Sequence, residues 1–366
     1  MESPRERILK ALHGILPERI PVFDFLFSQK LFQDILGRKP DSYNFEDVVD
    51  LTLTLRLDAV FIPFGGYSRE YLGENTYRDE WGTTYRVDYE ASWPIDPPIA
   101  FPVRNREDWK NYVFPDPCLP HRIKEIKGAV RKARGEIAVF GGISGPFTAA
   151  WLLLGLENMF VLLYDDLPLV RDVLEKCTDF FVEAGKKVVE AGADVLLVSD
   201  DLGFKSALFM SPEQFRDFVV PLLARQIRAL LPLGVPIVFH SDGKIDAILG
   251  DIVEMGISGY HPAEREAGMD IGLLRKAYPG LCLLGNVNNK TTLVFGSPED
   301  VIAEAAECTL VAGLKGRYVL ASDHSIHHDV PVENVLAMIE FAERYGWYPL
   351  DVELLKTIAG RGKSRF

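Results

Sequence analysis

The chain has 366 residues, 53 acidic against 40 basic side chains, and a net charge of −13. A 48% hydrophobic and 25% charged composition excludes global disorder. The acidic balance argues against nucleic acid or an anionic membrane as the main partner. No apolar run approaches the roughly 18 residues of a membrane span; the longest, near Ala149–Leu156, is far too short.

The opening, MESPRERILKALHGIL, lacks the h-region and cleavage site of a signal peptide. It reads instead as a helix capped by Ser3, with Pro4 at its first position and Glu6 closing a capping box. Ile8, Leu9 and Leu12 give it an apolar face. Four cysteines (Cys118, Cys177, Cys282 and Cys308) form no C-x-x-C pair and read as buried thiols. The expected location is cytoplasmic.

After this helix a rhythm repeats: a short apolar run, a polar or glycine-rich tip, then a helical segment. The runs are Ile20–Phe27, Ala59–Gly66, Ile137–Gly145, Asp194–Asp201, Pro236–Gly243, Gly259–Glu264, Leu281–Asn288 and Arg317–His324. Runs of this kind suit strands buried on both faces. Leu167–Glu190 and Pro212–Leu231 carry helical spacing, and Gly192, Gly234 and Gly256 sit where helices would cap before the next strand. Eight such units predict an α/β (β/α)8 TIM barrel, expected as a single domain over 1–366. A doubly wound sheet would carry a glycine fingerprint after its first strand, and Phe23–Phe27 has none. Residues 67–98, rich in Tyr, Trp, Asp and Gly, read as a β-hairpin or lid inserted after strand two.

Polar residues gather at the strand ends: Ser199-Asp200-Asp201, His240-Ser241-Asp242, His261 with Glu264, Asn286 with Asn288, and Ser322-Asp323-His324. In a barrel these tips converge on the C-terminal face, where N and O donors can hold a divalent metal. Each aspartate could instead cap the following helix. His240 and His324 follow apolar runs and need partners once buried, which favours a ligand or proton-transfer role. His261 is ambiguous, because Glu264 can point away from it. His327 and His328 read as loop residues. Gly141–Gly145 lacks the Lys-Ser/Thr of a P-loop and suggests close backbone approach to a ligand. Phe64, Tyr67, Tyr71, Trp81, Phe147, Trp151 and Phe204 lie near strand tips and could line an apolar pocket.

Several stretches resemble the uroporphyrinogen decarboxylase superfamily: Arg7–Gly14 followed by Pro17–Val22, Ser211–Phe215 with Pro221, His240–Gly243, Leu284–Val287, and Val330–Val335. The resemblance covers most of the chain and implies a distorted TIM barrel. True porphyrinogen decarboxylases place a Met-Arg-Gln-Ala-Gly-Arg stretch after strand one; here Asp24–Gln29 stands there, without arginine. The superfamily's other branch holds corrinoid-dependent methyltransferases. Its thiol-methylating members carry zinc on His-x-Cys at strand five and a Cys at strand eight. Here those places read His240-Ser241-Asp242 and His324. A His/Asp set is a harder Lewis acid, suited to an ether oxygen rather than a thiol.

The resemblance therefore implies an O-demethylase-like enzyme, moving methyl from a methoxylated aromatic or a similar small methyl donor to a corrinoid protein. The expected zinc ligands are His240, Asp242 and His324. His240, Asp201 and Glu264 are the expected catalytic groups. Phe64, Tyr67, Ser144, Phe147, Phe204 and Asn286 are the expected substrate contacts. No Asp-x-His-x-x-Gly corrinoid signature occurs, so the corrinoid would arrive on a partner docked over the open barrel face. The alternatives are a coenzyme M-type methylcorrinoid:thiol methyltransferase, a metal-free decarboxylase or lyase acting on a small acid, and a vestigial binding barrel.

Overall fold

A computed structural model describes residues 2–87 and 93–362. Seven parallel strands form one curved sheet: β2 (Ala59–Pro63), β3 (Ala138–Ser144), β4 (Val195–Ser199), β5 (Ile237–His240), β6 (Gly259–His261), β7 (Cys282–Leu284) and β8 (Tyr318–Val319). The first apolar run closes it. Val22 bridges Leu320 of the last run, and the Asp58 N–H donates to the Val22 carbonyl at 2.9 Å. This stave becomes regular only at β1 (Leu26–Phe27), which pairs in parallel with Ile326–His327. The fold is thus a TIM barrel with a loosely laced seam.

Alternation sorts the strand residues. Phe23, Phe25, Ala59, Phe140, Leu197, Val238, Cys282 and Val319 fill the interior, whereas Val60, Val139, Leu196, Ile237, Tyr260 and Leu283 pack in the layer shared with the helices. The helix Pro4–His13 has the expected Ser3–Glu6 capping box. Its Ile8, Ala11 and Leu12 pack into the interior cluster, and its Arg7 pairs with Asp58, just before β2. It therefore plugs the N-terminal end of the barrel.

The helix Leu167–Glu190 is continuous, as expected. The expected helix over Pro212–Leu231 is two, Pro212–Phe218 and Val220–Leu230, because Pro221 has no N–H with which to continue the first. Gly192, Gly234 and Gly256 carry positive φ at the helix-to-strand turns. The glycines of β3 allow close packing, and Gly142 also lines a cavity at the barrel mouth. A Cβ on Gly141 would lie 2.2 Å from Val188, and one on Gly142 would lie 2.4 Å from the Phe61 ring. Cys118 is exposed, against expectation, and the other three cysteines are buried.

The insertion is more than a hairpin. Arg69–Gly73, Thr76–Asp79, Thr84–Arg86 and Pro98–Ala100 form a four-stranded antiparallel sheet, its last strand running past the expected boundary. Residues 88–92 of it lie outside the described residues. No single helix among the described residues is long and apolar enough to cross a membrane, although Pro146–Leu154 and Leu156–Asp165, bent by 93°, pass that test together.

Candidate metal and substrate site at the barrel mouth

The same alternation that buries Leu197 and Val238 sends the next inward positions, Ser199 and His240, toward the mouth. Register makes Ser144, Ser199, His240 and His261 consecutive members of one layer across β3 to β6. Just above this layer lie Asp201, Asp242 and His324. Nε2 of His240 stands 3.8 Å from Asp201 and 3.9 Å from Asp242. Nε2 of His324 stands 3.0 Å from Asp242. One donor atom from each of Asp201, His240 and Asp242 lies within 4.8 Å of the other two. The structure thus gathers the expected ligands His240 and Asp242 with Asp201, and sets the third expected ligand, His324, against Asp242.

The electrostatics are those of a compact charge cluster. Desolvation pushes the Asp201 carboxyl up, and Asp242 pushes it further. Desolvation works the same way on Asp242, but His240 and His324 outweigh it and hold that carboxyl below its usual range. Desolvation disfavours the His324 imidazolium, and Asp242 more than offsets this, raising it to about 9. One buried oxygen of Asp242, Oδ1, has no hydrogen-bond partner. Two imidazoles, two carboxylates and an orphaned carboxylate oxygen fit a divalent metal with N and O ligands.

His261, left open by the sequence, makes a contact that sequence reasoning missed. Its Nδ1 lies 2.8 Å from Nδ1 of His240. Burial holds His261 neutral, and its Nε2 is buried without a partner. A neutral His261 accepts the His240 Nδ1–H and leaves Nε2 of His240 facing the carboxylates. The signal available in the sequence was that both histidines end adjacent strands.

Other expected residues sit elsewhere. Glu264 is buried, accepts from the Gly243 N–H at 2.9 Å and pairs with Lys290 at 2.7 Å. Its carboxylate braces the β5 tip, and its charge also acts on His324. Asn286 is buried, donates from its amide to the Ala263 carbonyl and accepts from the Cys308 thiol. Phe147 is wholly buried against Phe209 and Phe215. Phe204 is exposed on a short hairpin after β4, where it packs on Phe209. Asp200 accepts from the Phe147 and Thr148 N–H groups, capping the helix Pro146–Leu154 that follows β3 rather than the helix after its own strand. Asp323 accepts from the Asn289 and Arg265 N–H groups. His327 and His328 are partly buried beside Asp329, with His327 in the strand that pairs with β1 and not in a loop.

Phe64, Tyr67 and Ser144 do line a common cavity of about 240 Å³ between the lid and the mouth. Trp81, Asp79 and Tyr85 of the lid, Phe181 and Ser199 join them. Ser199 lies one strand from His240, a spacing of about 4.8 Å.

The family model for uroporphyrinogen decarboxylase (URO-D) matches residues 82–345. A uroporphyrinogen decarboxylase from Anaeromyxobacter dehalogenans is 28% identical over 260 residues, 69% of this chain and 72% of that protein. The methylcobamide:CoM methyltransferase MtaA from Methanosarcina barkeri is 28% identical over 228 residues, 62% of this chain and 64% of that protein. A solved methyltransferase from Methanosarcina mazei superposes with a TM-score of 0.75 at 23% identity, over 94% of this chain and 99% of its own, and so shares the fold. The chain belongs to the uroporphyrinogen decarboxylase family.

Proposed function

We propose that this member of the uroporphyrinogen decarboxylase family is a methyltransferase, moving methyl from a small methoxylated aromatic to a corrinoid carried on a partner protein. The observation that carries the reading is the cluster of His240, Asp242, Asp201 and His324 without a thiol among its donors. Relatives whose names describe methyl transfer between methylcobamide and CoM support the reaction class. The first-strand tip, with buried Asp24 and no arginine, speaks against a polycarboxylate porphyrinogen.

His240 through Nε2, Asp242, His324 and Asp201 would hold a zinc ion. Zinc bound there supplies Lewis acidity toward the ether oxygen and lowers the cost of phenolate departure. His261 fixes the ring and tautomer of His240. Glu264 and Lys290 brace the turn that carries Asp242. Phe64, Tyr67 and Trp81 exclude water from the ring and present its methyl group toward the open face. The helix Pro4–His13 closes the other end of the barrel, so the corrinoid protein docks over the mouth.

The test is the zinc-loaded enzyme with a methoxyaromatic and a corrinoid protein reduced to cobalt(I). Conversion to the methylcobalt spectrum is expected, together with about one zinc per chain that is lost in His240→Ala and His324→Ala. Failure to take up zinc, or to methylate cobalt from any methoxyaromatic, overturns the reading. A second reading, methyl transfer from a methylcorrinoid to a thiol, is favoured by the named activity of the CoM methyltransferases. It is recognised by thiol-dependent demethylation of the methylcorrinoid.

A further inference from the structure

The cavity under the lid has a size, a charge balance and a position, and together they select a ligand class. An engineered cavity of about 150 Å³ accepts benzene. At about 240 Å³ this one takes a single ring with a few further heavy atoms. Its walls are mainly aromatic: Phe61, Phe64, Tyr67, Trp81 and Phe181.

The polar groups are sparse and uneven in charge. Among the described residues the lining includes no Lys, Arg or His and one carboxyl, Asp79. Arg122 approaches the far side of the wall, stacked on the Tyr67 ring, but its guanidinium is committed to Glu80. Asp79 accepts from the Thr83 N–H at 3.0 Å and interacts with the Tyr85 hydroxyl. Burial pushes its carboxyl up to about 6. The buried Tyr67 hydroxyl makes no well-formed hydrogen bond, with only the Trp81 side chain leaning on it as a donor. A ring carboxylate entering here would lose its hydration, meet no cation in the lining and face Asp79, whose neighbour Arg69 stands outside that lining. A ring hydroxyl would meet an acceptor in Asp79.

A wider cleft of about 620 Å³ lies across Phe61 and Pro63 and contains Arg69 with Asp41 and Asp96. It lacks Ser144 and Ser199, and so has no wall on the His240 layer.

We propose that the lid cavity is selective for an uncharged, single-ring methoxyphenol over the matching methoxybenzoate, with Asp79 receiving the ring hydroxyl. The methoxy group rests on the methyl-transfer reading; the preference for an uncharged phenol does not.

The test reads binding alone, so that it stands apart from turnover. Full-length protein, with and without zinc, is titrated calorimetrically with phenol, 2-methoxyphenol and 4-hydroxy-3-methoxybenzoate. Both uncharged phenols should bind at least about tenfold tighter than the benzoate, the scale of one unpaired buried polar group. Asp79→Asn should narrow the gap between phenol and benzoate. Equal or tighter benzoate binding overturns the inference, as does a gap that Asp79→Asn leaves unchanged. Phenol binding without methyl transfer would sink the proposed reaction and leave this inference standing. Transfer from a tightly bound methoxybenzoate would do the reverse.

Discussion

Replacing His261 by Phe separates its two consequences. The ring is fully buried between Phe23 and Phe25, with centroids 6.0 and 4.9 Å away, so a phenyl ring keeps that aromatic packing once it draws back from the His240 Nδ1 at 2.8 Å. The substitution removes the acceptor for the His240 Nδ1–H, and with it the force that turns Nε2 toward Asp201 and Asp242. Partners of this kind are worth about 10–100-fold in metal affinity, or about 1.4–2.7 kcal/mol. The same change also removes a buried Nε2 that has no partner. That favours the folded state by up to about 1–3 kcal/mol, set against the partner that His240 loses. Zinc dissociation constants from chelator competition, read beside urea unfolding of the metal-free protein, should therefore split: affinity falls while stability holds or rises. His261→Asn keeps an acceptor near the old Nδ1 and should recover most of the affinity. Wild-type zinc affinity in His261→Phe would refute the tautomer argument. A parallel loss of stability would reduce His261 to a packing residue.

Asp24 is wholly buried at the seam, where it accepts from the Ser322 N–H and hydroxyl and from the Phe25 N–H. Burial pushes it up to about 7, against those bonds. A folded-state pKa raised above the unfolded one means stability is greatest while the group is neutral in the fold. It falls by about 1.4 kcal/mol per pH unit as pH rises from about 4 to 7. Urea unfolding at pH 5, 6 and 7 should show this slope in wild type relative to Asp24→Asn; parallel curves would refute it. Gly142→Ala would put a Cβ 2.4 Å from the Phe61 ring, and should cost about 1–3 kcal/mol in thermal unfolding while weakening phenol binding in the cavity. Asp58 is fully buried and takes hydrogen bonds from Arg7 and the Val22 N–H, so Asp58→Ala should cost about 3–5 kcal/mol of unfolding free energy. A loss below about 1 kcal/mol there would mean the plug helix is held by apolar contact alone.

The barrel was legible because eight apolar runs survive without alternation, which only strands covered on both sides require. The tips were legible because His240 directly follows an apolar run and His324 comes three residues after another. What a sequence does not display is register. His240 and His261 are 21 positions apart, and only the parallel pairing of β5 with β6 sets them side by side. Neighbours at a tip divide for the same reason: Asp200 turns out to a helix end, whereas Asp201 turns in to the cluster. Aromatic residues near the tips carried no direction either. Phe147 went to the core and Phe64 to the cavity, because helix and strand present their side chains to different layers. The fourth strand of the lid, Pro98–Ala100, was hidden because prolines at 97, 98 and 102 argue against a paired strand.

The plug formed by the helix Pro4–His13 gives the molecule a floor and, at the opposite end, a doorway. Traffic is then a matter of queueing. Under the proposed reaction, a small donor beneath the lid would lie beside that doorway and a protein on the rim would stand across it. The smaller guest would then enter before the larger and leave after it, a compulsory order set by the walls.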